Sequence, residues 1–170
     1  VDILAVDLDG AAETVSTIEA AGGTAAAHAC DVTDQGATLA VFEKTVGERG
    51  RLDCRVNHAG VALVGNVLDT TEEDFDRVMG VNAKGVLNCL KAGVGHMRAS
   101  GGAIVNIAST VSVSAINDRF AYSTSKGAVL ALLGVAAAVA LCRLDGARRT
   151  GVIALAAVGV AVGASWLVVE

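Results

Sequence analysis

The chain reads as an α/β protein built on a parallel sheet, and three features of its 170 residues point there. Short apolar runs of strand length, beginning with Ile3-Leu4-Ala5-Val6, alternate with longer stretches of helical pattern. Glycines follow the helical stretches, and a threonine-rich capping sequence opens one of them. Strands that alternate with helices in this way form a parallel sheet with both faces covered, because each crossover lays its helix on one face.

The elements follow in order. Residues 3–6 form a short buried strand, and residues 11–21 a helix that ends at Gly22-Gly23. Residues 24–30 are the next strand, 34–49 a helix closing near Gly50, and 52–57 a strand leading into the turn His58-Ala59-Gly60. Thr70-Thr71-Glu72-Glu73 supplies a capping box for a helix that runs through Val81 and Asn82 toward Leu90. A strand at 103–108, a long apolar helix at 121–142 and a further strand at 151–158 complete the pattern.

One domain suits this length, so residues 1–170 are read as a single unit. Proline is absent, and 53% of residues are apolar with only 3% aromatic, so small side chains dominate the interior. A net charge of −5, with no basic cluster larger than Arg148-Arg149, argues against a nucleic-acid partner. Cys30, Cys54, Cys89 and Cys142 show neither Cys-x-x-Cys pairing nor histidines at ligand spacing, and His28, His58 and His96 are scattered, so no metal is expected. Free thiols and the lack of a secretion-signal pattern suit a reducing, cytoplasmic setting.

The chemistry concentrates on Ser109, Tyr122 and Lys126. A spacing of four on a helix puts the Tyr122 phenol and the Lys126 ammonium on one face. An ammonium beside a phenol favours phenolate and makes an acid/base usable near neutral pH. Ser109 can then hydrogen-bond the oxygen of a carbonyl or carbinol.

Six segments in order carry a resemblance: Val6-Asp7-Leu8-Asp9, Cys30-Asp31-Val32, Val56-Asn57-His58-Ala59-Gly60, Val81-Asn82-Ala83-Lys84-Gly85, Ile104-Val105-Asn106-Ile107-Ala108-Ser109, and Tyr122 through Lys126. Over about residues 1–133 the chain resembles the short-chain dehydrogenase/reductase family of classical type. The resemblance implies a Rossmann-like, doubly wound parallel sheet and an NAD(P)-dependent oxidoreductase moving hydride between nicotinamide and a small alcohol or carbonyl substrate. It implies Tyr122 as acid/base, Ser109 as the group positioning oxygen, Lys126 on the nicotinamide ribose, and Asn82 in a helix kink holding a proton-relay water. On the cofactor side, Asp31 and Val32 bracket the adenine, while Asn57, Ala59 and Gly60 form the turn beside the cofactor. Asp7 accepts the adenosine ribose hydroxyls and favours NAD over NADP, although Asp9 is the alternative for this role. The helix at 121–142 resembles the one used for a homodimer or homotetramer.

Departures stand beside the matches. The family's first strand and Gly-x-x-x-Gly-x-Gly turn do not occur here; the chain starts on what resembles the second strand. Such a strand would lie centrally, between the strands led by Ile3 and Cys54, and its loss leaves two interior edges unpaired. Arg55 stands where the family has an apolar residue, and a buried unpaired charge is costly. Beyond residue 133 the resemblance fades. The charge-free run at 152–169, with Gly159-x-x-x-Gly163, reaches the lower limit for a membrane span, but its alanine and glycine content favours a buried strand pair or helix. Two readings of function therefore stand: an active oxidoreductase, or an inactive remnant of one serving as an interaction module.

Overall fold

The computed structural model describes residues 2–7, 11–97, 102–114, 116–143 and 164–169, with side chains described over 11–97, 102–114 and 116–132. β1 (Asp2–Asp7) and β2 (Thr24–Ala29) pair in parallel, with Asp2 opposite Thr24 and Asp7 opposite Ala29. α1 (Ala12–Ala20) joins them. It stops where the amides of Gly22 and Gly23 turn back onto the carbonyls of Glu19 and Ile18, with Gly22 at φ +80°. α2 (Gln35–Arg49) opens on Asp34, whose carboxylate accepts the Ala37 amide at 3.0 Å, and closes on Gly50 in the left-handed region.

β3 (Cys54–Asn57) pairs in parallel with β4 (Gly102–Ile107), Asn57 opposite Asn106. Between them lies a helix in three parts. α3 (Glu72–Met79) is capped by Thr71, whose hydroxyl accepts the Asp74 amide at 3.1 Å. The cap is thus one residue later than expected, because Thr70 instead donates to the carbonyl of Asn66 at 2.7 Å. A π-helical turn (Gly80–Lys84) then widens the helix before α4 (Gly85–Met97) resumes. This is the form the expected kink takes, and it falls on Asn82. After β4 come a 3₁₀ turn (Thr110–Ser112) and α5 (Phe120–Arg143).

Among the described residues the strands form two hydrogen-bonded sheets, β1-β2 and β3-β4-β5. The interruption falls between β1 and β3, where the missing central strand was expected. β3 shows it: Val56, an apolar strand residue, is 52% exposed. β5 (Ala164–Val169) corrects the expectation of a purely parallel sheet, since it runs antiparallel to β4 with Ala164 opposite Ile107 and Val169 opposite Gly102. The strand expected at 151–158 lies outside the described residues. The final stretch of the 152–169 run is sheet rather than a spanning helix, and among the described residues no helix is long and apolar enough to cross a membrane.

The core gathers Val86, Leu90 and Met97 from α4, Ile104 from β4, Ala108 just after it, and Val129 from α5. Val86, Leu90 and Met97 recur at helical spacing, so one stripe of α4 faces β4 and α5. Arg55 interrupts this apolar order. Its guanidinium sits 4.6 Å from the centre of the Phe42 ring and donates to Asn57 Oδ1 at 2.7 Å and Cys89 Sγ at 2.6 Å. Burial holds it below the usual arginine value, and the neighbouring Cys89 opposes that shift. The desolvation cost exceeds what one carboxamide and one thiol return. Arg55→Leu is therefore expected to stabilise the chain by about 1–2 kcal/mol, raising the thermal midpoint by roughly 3–6 °C. A midpoint at or below the parent's in calorimetry would contradict this.

Candidate functional site

The candidate residues collect at the carboxyl ends of the strands. Asp7 is the last residue of β1, Asp31 and Val32 follow β2, Asn57 closes β3 and leads into Ala59 and Gly60, and Ser109 follows β4. In an open parallel sheet this is the rim where loops gather and ligands bind. Asp7 is located by its backbone alone, opposite Ala29, and Asp9 lies outside the described residues.

Two groupings form on this rim. The first is a cavity of about 310 Å³ lined by Asp31, Val32, Asn57, Ala59 and Gly60, with Arg55 and α4 at its side. That volume is at the low end of the range for small-molecule sites. The Asp31 carboxylate accepts the Thr33 amide at 2.8 Å, which shapes the turn after β2. Asn57 is buried and donates to Asn106 Oδ1 at 2.6 Å, so the ends of β3 and β4 are tied by side chains as well as by the ladder.

The second grouping centres on Asn82, which is 0% exposed. Its Oδ1 accepts the Val61 amide at 2.8 Å, while its Nδ2 donates to the Val61 carbonyl and to Ser125 Oγ, both at 2.9 Å. Ser125 in turn donates to the Tyr122 carbonyl at 2.8 Å. One carboxamide thus joins the turn after β3, the π-turn and the second turn of α5. Gly60 lies close beside it: a Cβ there would stand 3.3 Å from Asn82 Oδ1 and 3.4 Å from Lys126 Nζ.

Lys126 is buried, and its Nζ donates to the Ile107 carbonyl at 2.8 Å and lies 5.9 Å from the centre of the Tyr122 ring. The expected shared face of Tyr122 and Lys126 is there, on α5. Burial holds the Lys126 ammonium below its usual range. Ser109 caps the 3₁₀ turn, its Oγ accepting the Val111 amide at 3.4 Å, and that turn packs on α5. Its hydroxyl hydrogen is free of that contact, since only the oxygen is used.

Several supporting residues were not singled out from sequence. Asn88 on α4 is buried and donates to the carbonyls of Val32 at 2.8 Å and Thr33 at 3.3 Å, holding the turn after β2 against α4. Asn106 and Ser125 hold Asn57 and Asn82 as described. The available signal was polar type at an otherwise apolar helical or strand position, as in Val-Leu-Asn88-Cys-Leu and Ile-Val-Asn106-Ile. No group of metal-ligating side chains occurs among the described residues.

The strands and the polar rim at their carboxyl ends define an α/β fold with a candidate ligand site, and comparison with known proteins gives the family. A family model described as Enoyl-(Acyl carrier protein) reductase matches residues 1–148. The chain belongs to the short-chain dehydrogenase/reductase family. It is 43% identical over 121 residues to an uncharacterised oxidoreductase of Thermotoga maritima, covering 71% of this chain and 47% of that one. Its fold superposes on a short chain dehydrogenase from Mycobacterium smegmatis with TM-score 0.77 and 34% identity, covering 81% of this chain and 60% of the other. It superposes on an NAD+-bound xylitol dehydrogenase with TM-score 0.74 and 33% identity, covering 81% and 55%. The chain spans about half the length of the curated relatives it matches.

Two outcomes follow from this geometry. Asn82→Ala removes the partner of the half-buried amide and carbonyl of Val61 and the donor to Ser125 Oγ, so a loss of about 3 kcal/mol is expected in denaturant unfolding; a loss below about 1 kcal/mol would show that the carboxamide is not a structural tie. For Lys126 the folded value lies below that of the unfolded chain, near 10.5. Between the two, the unfolded chain binds more protons, so the contribution of Lys126 to stability rises with pH through that window, and its full cost is present below it. Stability relative to Lys126→Met should therefore improve as pH is raised from neutral toward the unfolded value, and a flat difference would refute the assignment.

Proposed function

We infer that this chain carries the proton-handling and adenosine-side residues of an NAD-dependent short-chain dehydrogenase acting on a small alcohol or carbonyl. The observation that carries the reading is the gathering of Asp31, Val32, Asn57, Ala59 and Gly60 around one cavity, with Gly60 in contact range of Asn82 and Lys126. The glycine's missing Cβ leaves its backbone open to close approach by a ligand, as a cofactor-side turn requires. The NAD+-bound xylitol dehydrogenase neighbour supports the choice of cofactor class.

The bound dinucleotide supplies the hydride donor or acceptor. Asp31 and Val32 would bracket the adenine, and Asp7 would accept the ribose hydroxyls, where its charge would disfavour a 2′-phosphate. Lys126 has three N–H donors and spends one on Ile107, leaving two for a ribose hydroxyl and for the side of α5 that bears Tyr122. Tyr122 moves the hydroxyl proton of the substrate, and Ser109 donates its hydroxyl hydrogen to the substrate oxygen. The Asn82 side chain is fully engaged with Val61 and Ser125, so its part is to hold the loop and α5 in register. Main-chain groups of the widened π-turn then serve the water through which Lys126 exchanges protons with solvent.

One observation favours the second reading, an inactive relative acting as an interaction module: among the described residues the strands fall into two separate hydrogen-bonded sheets, β1-β2 and β3-β4-β5.

A fluorescence titration with NADH, with NADPH in parallel, separates the readings. Saturable micromolar binding that favours NADH, with turnover abolished by Tyr122→Phe while NADH affinity stays within about twofold, is the expected outcome. Turnover retained by Tyr122→Phe would remove the proton-transfer role, and no binding of either nucleotide would favour the inactive module.

A further inference from the structure

Of the nine large apolar side chains exposed among the described residues, six fall in two loops beside the proposed proton-handling residues. Val64, Val67 and Leu68 lie between β3 and α3, Leu68 at 90% exposure; Val113, Ile116 and Phe120 lie between β4 and the first residue of α5. The second loop joins Ser109 to Tyr122. Val113 follows the 3₁₀ turn that Ser109 caps, and Phe120 stands two residues before Tyr122. The loops are fastened to each other by backbone: the Gly65 amide donates to the Asp118 carbonyl at 3.0 Å, and the Phe120 amide to the Gly65 carbonyl at 3.1 Å. Asp118 holds φ +56° in this bridge, a conformation uncommon outside glycine. The Phe120 ring also stacks on Phe75 of α3, centroids 6.0 Å apart. Backbone bonds thus fix an apolar patch whose side chains stay open to solvent, and a patch of this kind favours an apolar ligand.

Polar side chains of the same loops are engaged locally. Asn66 Oδ1 accepts the amides of Leu68 and Asp69 at 2.8 and 3.2 Å, Ser112 Oγ accepts the Ser109 amide at 3.3 Å, and Ser114 Oγ donates to the Thr110 carbonyl at 2.9 Å. The geometry points to these two loops as the determinant of substrate class: an alcohol or carbonyl that carries an apolar arm, its oxygen at Ser109 and Tyr122 and its arm against Leu68 and Val113. Each methylene of such an arm leaves water for apolar surface. A polyol of similar size would set hydroxyls against the same side chains and lose water bonds without replacement. The role given to the oxygen rests on the oxidoreductase reading, whereas the apolar arm follows from the loops alone.

The test is binding of methyl ketones, from acetone to methyl pentyl ketone, to the native chain without nucleotide, titrated by saturation-transfer difference NMR with xylitol as the polyol. Affinity should rise about twofold for each added methylene, so roughly tenfold or more across the series, and xylitol should bind no better than acetone. Leu68→Asn and Val113→Asn, at exposed positions where a polar side chain is tolerated, should each cut the rise by about half. Leu39→Asn, an exposed apolar position on α2 outside both loops, should leave it unchanged. An NADH titration of the same samples separates the two readings: a chain-length dependence that persists where NADH does not bind supports the apolar surface and removes the nicotinamide chemistry. A flat series, xylitol binding tighter than methyl pentyl ketone, or a rise that Leu39→Asn alters as much as Leu68→Asn would each overturn the inference. So would dimers in sedimentation that Leu68→Asn abolishes, since a second copy would then cover the patch.

Discussion

Everything at the rim of the sheet depends on one buried carboxamide. Asn82 could have bonded within its own helix only by leaving the Val61 amide and carbonyl unpaired, and buried backbone groups without partners cost free energy. The π-turn at Gly80–Lys84 resolves the conflict: it widens the helix where Asn82 sits, while Val61 and Ser125 take up the whole side chain. The consequence is geometric. The turn that follows β3 cannot move relative to α5 without breaking these bonds, so Gly60, Lys126 and the backbone of Tyr122 form one rigid assembly.

A second tie does for β2 what Asn82 does for β3. The two sheets share no ladder, yet Asn88 donates from α4 to the carbonyls of Val32 and Thr33, and Gln35 donates to Asn88 at 3.3 Å. α4 is therefore the common support: its π-turn end carries Asn82, its middle carries Asn88, and its apolar stripe faces β4. Hydrogen bonds from one helix hold the loops of both sheets against the same cavity wall. Where the sheet is interrupted, side-chain bonds supply part of the registration that a continuous ladder would give.

Much of this was legible in the residues. The alternation of strands and helices, the helix ends at Gly22-Gly23 and Gly50, and the kink at Asn82 follow from local chemistry that acts within a few residues. The interruption between β1 and β3 was legible too, because a strand order can be read against the segments present. What was not legible arises over distance. The antiparallel pairing of β5 with β4 joins segments far apart in the chain, and no pattern within Ala164–Val169 encodes its direction. Asn88 and Ser125 act on partners 56 and 43 residues away, where sequence offers only the oddity of a polar side chain on an apolar face. The cap at Thr71 rather than Thr70 turned on a competing acceptor, the Asn66 carbonyl.

Arg55 shows why a departure from a family's pattern is best read by its contacts. As a bare sequence feature it is a charge in a strand that ought to be apolar, a cost with no return. In the fold it reaches across to α2 and α4, setting its guanidinium over Phe42 and against Cys89 while its Nε holds Asn57. Asn57 also bonds Asn106, so the cation is linked through a single carboxamide to the end of β4 and the segment that leads to Ser109. The desolvation of a half-buried cation and the polar network of the rim thus involve the same set of atoms. Removing the charge relieves desolvation and at the same time frees the carboxamide oxygen of Asn57, so greater stability and a less firmly held rim are two effects of one change.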